Sequence, residues 1–396
     1  MDGMSDNRVI HIIEPDGDPG RIALQIDAAC DAMEHVYAGG HYPKLTVHRR
    51  WSDHNPEISG QLAHPAVYRW YLHRELSRLV AKGARILVSR SRERIELTSP
   101  ELLTRIDEIG FDITRKKVFL FGPERCELSI ARLSHYTGTR CEDFQRYVLL
   151  TNYQMHLDAF AAEFPDCIRS SRPGVQMPAM HHVCEDNAGI TIVNIGVGPS
   201  NAKTFSDHLA VLRPDAMVMV GHCAGVRNHQ DIGDFVLASG YMRADRILDH
   251  ALPTSVPIAP SFLINRQLAW LLDERELRYR TGTVYTTADR NWELSMTETM
   301  RDLRVSRSIA VDMESATLAA NGFRYRIPSA ALLCVSDKPL HGLPKLPGEA
   351  KEFYETSKRL HLSIAIDAFR RIREDYPGGL PTSEIRSPDE ALLGGE

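Results

Sequence analysis

The sequence predicts an α/β protein, with a larger domain built around a parallel or mixed sheet and a smaller α+β unit before it. Three observations carry this. From about residue 147 onward, short apolar runs end in glycine-containing or polar loops: Tyr147 to Leu150, Ile190 to Ile195, Ala216 to Val220, Phe235 to Ala238, Gly282 to Tyr285 and Ala330 to Val335. Segments of helical periodicity lie between them, such as Lys203 to Leu212 and Ser261 to Leu272. Buried strands alternating with crossover helices give this architecture. Finally, 396 residues exceed what one core holds, since single cores stop growing near roughly 250–300 residues.

The segment before residue 147 reads differently. Asp18-Pro19 predicts a helix start, with Ile22, Ile26, Ala29, Met33 and Val36 at helical spacing and Gly39-Gly40 as the stop. A second helix is predicted from Pro65, with Tyr68, Leu72, Leu76 and Leu79 on one face, ending at Gly83. Ile86 to Val88 and Ile95 to Leu97 read as short strands, and Ser99-Pro100 as the cap of a helix reaching Gly110. This mixed unit carries no chemical motif. After Tyr376 the composition turns to Pro, Gly, Ser and Glu, which predicts a disordered tail over 377–396.

Composition excludes several function classes. The chain is 43% hydrophobic and 25% charged, ordinary for a globular protein, and its net charge of −5 gives no electrostatic case for nucleic acid or a membrane surface. No apolar stretch of about 18 residues predicts a membrane span. Met1 to Asn7 is polar and acidic, unlike a signal peptide. The seven cysteines are odd in number, widely spread and without C-x-x-C, so no disulfide framework or zinc site is expected and a reducing cytoplasm is. His181-His182 and the remaining histidines lack metal-ligand spacing, so no metal is expected.

Four segments combine residue types that carry chemistry. Asn194 to Thr204 contains Gly196-Val197-Gly198-Pro199 between a strand and a helix. Glycines let a backbone approach a ligand and a helix N-terminus favours an anion. The run lacks the third glycine of a dinucleotide fingerprint and the spacing of a P-loop, and a plain tight turn is an equal reading. Gly221-His222-Cys223-Ala224-Gly225 follows an apolar strand; His222 would donate to a phosphate or orient water, unless it is an ordinary histidine in a turn. Asp312-Met313-Glu314 opens a helical stretch. Both acids can serve the helix N-terminus, which explains Asp312 better than Glu314, while a carboxylate can also accept both hydrogen bonds of a vicinal diol. The fourth, Ser336-Asp337-Lys338-Pro339-Leu340-His341, puts an acid after the strand Ala330 to Val335, where α/β enzymes keep catalytic groups.

In this order the segments resemble the AMP nucleosidase family, within the nucleoside phosphorylase and nucleosidase superfamily. The resemblance also rests on Ala131-Arg132-Leu133-Ser134-His135-Tyr136-Thr137-Gly138-Thr139, Asp207 to Asp215, Arg280-Thr281-Gly282-Thr283-Val284 and Asp289-Arg290-Asn291-Trp292-Glu293-Leu294. It reaches back to Tyr42-Pro43-Lys44-Leu45-Thr46-Val47. The chain departs from the pattern by being shorter at the N-terminus and around Cys167 to Gln176, and by Ala224 where glycine is typical. The resemblance implies a three-layer α/β/α sandwich with a mixed central sheet over residues 131–376, preceded by an oligomerisation or regulatory α+β domain over 1–130. It implies hydrolysis of AMP, with water, to adenine and ribose 5-phosphate, no redox cofactor, MgATP as an allosteric activator, inhibition by phosphate and a homohexamer.

Cleavage at adenine leaves negative charge on the base and positive charge on the ribose. By family position Asp337 is then expected to protonate adenine N7, which requires a carboxyl that still holds its proton. Glu314 is expected to grip the ribose hydroxyls and Met313 to pack beneath the sugar. Trp292 or Asn291 would border the adenine. Arg290, Lys338, His341 and Lys345 are the phosphate candidates, while Gly198 and His222 would border the water. A related nucleoside phosphorylase or nucleosidase, a catalytically silent nucleotide sensor and an NAD-linked dehydrogenase are the competing readings.

Overall fold

The structure, a computed structural model, describes residues 8–15, 17–48, 57–95, 120–344 and 347–381. The chain separates into two compact units: one contains the residues up to Arg132 with Val211–Arg213, the other Leu133–Ala210 and Pro214 onward.

In the first unit the elements are β1 (Val9–Ile13), α1 (Pro19–Ala38), β2 (His41–His48), β3 (Glu57–Gln61), α2 (Arg69–Ala81) and β4 (Arg85–Arg94). The strands form an antiparallel sheet in the order β1-β4-β2-β3. Helix α1 starts where Asp18-Pro19 predicts, buries Ile26, Ala29, Met33 and Val36, and stops at Gly39, with Gly40 following in the left-handed region at φ 79°. The second predicted helix divides. Pro65–Tyr68 forms a 3-10 turn and the α-helix begins at Arg69, with Leu72, Leu76 and Leu79 inward. Ile86 to Val88 is the buried centre of β4, whereas Leu97 and the helix expected from Ser99 to Gly110 lie outside the described residues.

The second unit begins within α3 (Pro123–Thr137) and continues with β5 (Tyr147–Thr151), α4 (Gln154–Glu163), β6 (Ile168–Arg169), β7 (Ala179–His182) and β8 (Ile190–Asn194). Then come α5 (Pro199–Leu209), β9 (Ala216–Gly225), β10 (Phe235–Arg243), α6 (Phe262–Glu274), β11 (Tyr279–Thr286) and α7 (Met296–Ser306). The last elements are β12 (Ala310–Asp312), α8 (Ser315–Tyr325), β13 (Ser329–Asp337) and α9 (Pro347–Asp375). The sheet is mixed, as expected, in the order β12-β11-β10-β13-β9-β5-β8-β7-β6. Its central strands β5, β9 and β13 are buried along their whole length, as strands covered on both faces must be. Leu149, Val218, Val220, Leu237 and Leu332 meet Phe160, Leu268, Leu271, Phe369 and Ile372 of α4, α6 and α9. On the opposite face Gly322 of α8 lies so close to Met217 of β9 that an added Cβ would stand 3.1 Å from its Cε. α8 is tied to α5 there by Asn321 Nδ2 donating to Ser206 Oγ (2.8 Å). These are the three layers of an α/β/α sandwich.

One feature of the sheet has no counterpart in the sequence reading. β9 pairs in parallel with β13 and also antiparallel with β12 (Ala310↔Gly225, Val311↔Ala224), so β12, β11, β10, β13 and β9 close on themselves. The closure needs a long β9, and it corrects the reading of Gly221 to Gly225 as a turn: all five residues are strand, Gly221 to Ala224 pairing with Leu333 to Asp337 of β13 and Gly225 with Ala310 of β12. Asp337 is likewise the last residue of its strand rather than part of the loop beyond it. The expected tail is also corrected at its start, because Leu380 is buried in the core; residues 382–396 lie outside the described ones. The seven cysteines are free. No described helix is long and apolar enough to cross a membrane.

Candidate active site

A cavity of about 350 Å³ opens where the closed part of the sheet meets the ends of β5 and β8, within the size range of small-ligand sites. Asn152, Tyr153, His222, Arg290, Trp292, Met313, Glu314 and Asp337 contribute to its wall, together with Asn291.

Asp337 reaches it through an irregularity. The β9–β13 register shifts between Val335 and Asp337, leaving Ser336 as the extra residue of a bulge, and bulges re-aim side chains. Asp337 is 8% exposed, and one carboxylate oxygen accepts from Ser336 Oγ at 2.5 Å. The residue is thus shielded from bulk water while still facing the cavity.

The two acids of Asp312-Met313-Glu314 have different partners. Asp312, at the end of β12, accepts from Thr286 Oγ1 (2.5 Å) and from both the backbone N–H (2.9 Å) and the hydroxyl of Ser315. Thr286 Oγ1 in turn accepts from Ala316 N–H at 3.1 Å. This pair closes the N-terminus of α8. Glu314 occupies the N-cap position without capping; its Oε1 accepts instead from Gly198 N–H at 2.6 Å. The glycine loop therefore does donate to an acidic group, and that group is the protein's own carboxyl. Gly198 has φ 105° and ψ 157°, a conformation that a side chain would strain, and Gly196 has φ 74°. Burial and the nearby Asp312 charge push the Glu314 carboxyl up to about 8, opposed by hydrogen bonding from the Gly198 backbone, the Asn152 side chain and the Met313 backbone. Burial also raises Asp312, against the hydrogen bonds from Ser315 and Thr286.

His222 projects from β9 with Tyr153 edge-on at 4.6 Å, and His156 and His361 lie behind it at 5.8 and 5.5 Å between ring centroids. Burial holds His156 well below the usual histidine range and His361 down to about 4, so the wall behind His222 is neutral. Trp292 is buried among Ala224, Tyr285, Leu303 and Val311 and lines the cavity; Arg290, close to it in sequence, is exposed. Among the described residues no group of three or more His, Cys, Asp or Glu side chains is placed to hold a metal ion.

Family models match this half of the molecule: residues 154–370 fit the phosphorylase superfamily. The chain is 40% identical to the AMP nucleosidase of Escherichia coli K12, across 84% of this chain and 85% of that one. Among solved structures, the AMP nucleosidase of Bacteroides thetaiotaomicron is 33% identical with a TM-score of 0.53, covering 63% of this chain and 99% of its own. A uridine phosphorylase from Vibrio fischeri, 14% identical with a TM-score of 0.50 over 58% of this chain and 92% of its own, shares the fold. The chain belongs to the AMP nucleosidase family.

Two of the residues singled out from the family's Asp337 segment do not reach the cavity. Lys338 is 6% exposed and donates its ammonium protons to the carbonyls of Gln230 and Asn228 (3.3 Å to the latter), tying a loop to the strand end. Lys338 follows the last residue of β13, and its ammonium is taken up by those carbonyls while Asp337 lines the cavity. His341 sits half-buried on the 3-10 turn Pro339–His341, away from the cavity wall. Lys345 is outside the described residues. Gly198 acts through Glu314, beside Val197 in the wall. Conversely, Asn152 and Tyr153 escaped notice although they follow the strand Tyr147 to Leu150; the strand-end rule used for Asp337 points to them equally.

Proposed function

We propose that this member of the AMP nucleosidase family hydrolyses the N-glycosidic bond of AMP to adenine and ribose 5-phosphate, with Asp337 as the proton donor to adenine and Glu314 as the ribose-holding carboxylate. The observation that carries the reading is that Asp337 and Glu314, from separate strand ends, face one cavity whose wall also has an aromatic residue, Trp292, and a cation, Arg290.

The chemistry follows from that arrangement. As the C1′–N9 bond stretches, charge builds up on the purine; a proton from Asp337 to N7 turns a poor leaving anion into neutral adenine, an effect typically worth ~10²–10⁴-fold. Glu314 accepts from the 2′- and 3′-hydroxyls and favours the cationic sugar of the transition state. Water adds to C1′ and releases a proton, and solvent restores the proton that Asp337 gave up. Trp292 and Asn291 border the base, Met313 the sugar, and His222 the water, while Arg290 is the cation for the 5′-phosphate. The reaction uses no redox cofactor or metal. A cytoplasmic homohexamer with MgATP as allosteric activator completes the reading.

The test is incubation with AMP in phosphate-free buffer, with and without MgATP, followed by chromatography of the products. Adenine and ribose 5-phosphate in equal amounts are expected. No adenine in either condition sinks the proposal, and strict dependence on added phosphate replaces it with phosphorolysis.

A further inference from the structure

Glu314 raises a chemical problem. It is 2% exposed and stands beside the buried Asp312, and such a carboxyl tends to keep its proton. A protonated carboxyl presents an O–H and loses an acceptor, yet gripping a vicinal diol takes two acceptors. The N–H groups of α8 offer no relief, since those of Ser315 and Ala316 go to Asp312 and Thr286. Apart from the backbone of the adjacent Met313, donors must come from elsewhere in the fold.

They come from two adjacent parallel strands. β5 and β8 run in register with Thr151 opposite Asn194. Past the end of β8, Gly198 N–H donates to Glu314 Oε1. Past the end of β5, the side chain of Asn152 lines the cavity with the same carboxylate, within reach of it, and favours its charged form. We propose that Asn152 is the positioning residue for Glu314, its amide joining the Gly198 N–H and the backbone of Met313 in a clamp that fixes the carboxylate with its remaining lone pairs available to the sugar hydroxyls. This rests on the reading of Glu314 as the ribose-holding group.

Two further observations fit. Asn152 lines the cavity beside Glu314, and its own Oδ1 is buried without a hydrogen-bond partner. A buried amide acceptor left unpaired costs about 1–3 kcal/mol, so the side chain is kept at this place by its donor end. Its neighbour Tyr153 packs on His222, which fixes the strand end from the other side. The other titratable or charged groups around Glu314 are Asp312 on β12, His222 on β9, Asp337 on β13, Tyr153 after β5, and Arg290 and Glu293 before α7.

The experiment is the pH profile of kcat/KM for AMP from pH 5 to 9.5, for the parent, Asn152→Asp and Asn152→Leu. Asn152→Asp keeps the size but adds a negative charge that raises the midpoint by itself. Asn152→Leu removes the donor without adding charge in a larger side chain, so the shift in Asn152→Leu decides. Losing a hydrogen bond to a charged group is expected to move the midpoint of the rising limb up by about one pH unit and to raise KM at pH 7 about tenfold. Above the new midpoint, kcat should return to within about threefold of the parent. An unmoved midpoint in Asn152→Leu, or an equal loss of kcat at every pH, overturns the clamp and leaves Asn152 a packing residue. Calorimetry on the unmodified protein, independent of any variant's folding, adds a second measurement. Binding of ribose 5-phosphate at pH 7 in two buffers of different ionisation enthalpy should release protons, and binding without release overturns the proposal. Should Glu314→Gln bind AMP with unchanged KM, the parent reading itself fails; raised KM in that variant with an unmoved midpoint in Asn152→Leu sinks the clamp alone.

Discussion

Two strand ends invite comparison, the Asp312–Glu314 segment after β12 and the Asp337–His341 segment after β13. Each offers several polar groups of apparently equal standing in the sequence. In each, the fold ties one by hydrogen bonds to neighbouring elements, although Asp312 still lines the cavity, and turns another toward the cavity. Asp312 joins β11 to the start of α8 through Thr286 and Ser315, while Glu314, two residues on, reaches across to Gly198. Lys338 ties down the carbonyls of Asn228 and Gln230, while Asp337, one residue earlier, faces the cavity from a bulge. The difference lies in how the scaffold groups are satisfied. Asp312 is held by Thr286 and Ser315 and Lys338 by Asn228 and Gln230, whereas Glu314 and Asp337 bring carboxyl groups to the cavity wall. A charged residue near an active site thus earns a catalytic reading only when its partners leave it something to offer.

That contrast can be broken most directly at Asp337. Asp337→Asn removes the transferable proton and keeps the shape, so kcat should fall about 10²–10⁴-fold while AMP binding, followed by calorimetry, changes less than about threefold. Turnover near that of the parent would place the proton donor elsewhere.

The next effect concerns Glu314. Glu314→Gln should raise KM for AMP by about ten- to a hundredfold, the worth of a hydrogen bond to a charged group. It also has a pH signature without substrate. Because the folded protein holds the Glu314 proton up to about 8, it binds more protons than the unfolded chain between the ordinary glutamate value and that point. Stability from this group is therefore fully present at low pH and lost as pH rises toward 8. The melting temperature of the ligand-free parent should fall over this window and that of Glu314→Gln should fall less. Parallel melting curves would show that Glu314 ionises normally.

The smallest effects sharpen the division of cations. Arg290→Ala should raise KM for AMP by about tenfold and leave hydrolysis of adenosine, which lacks the phosphate, nearly unchanged. Lys338→Met should lower the unfolding midpoint and leave KM for AMP within about threefold. The reverse pattern in steady-state kinetics would make Lys338 the phosphate ligand after all.

Much of the architecture was legible in residue order. Apolar runs long enough to bury both faces marked β5, β8, β9, β10, β11 and β13, because a strand covered by helices on both sides has no polar alternation to keep. Asp18-Pro19 and Gly39-Gly40 marked the ends of α1, because cap and stop preferences are local. The acids Asp337 and Glu314 were visible for a similar reason: a carboxylate at the edge of an apolar run has no local cause. Other matters depended on atoms far apart in sequence. The pairing of β9 with β12, which turned Gly221 to Gly225 from an expected loop into strand, joins segments more than eighty residues apart in numbering. The bulge at Ser336, the capture of Lys338 by the carbonyls of Asn228 and Gln230 and the hydrogen bond of Gly198 to Glu314 arise only once those strands are in register. Sequence by itself determined which segments would be buried and which residues carried chemistry, since hydrophobicity and side-chain type belong to each residue. Tertiary structure alone decided which of those residues share one cavity and what protons they hold, since burial and neighbouring charge are properties of a place in the fold.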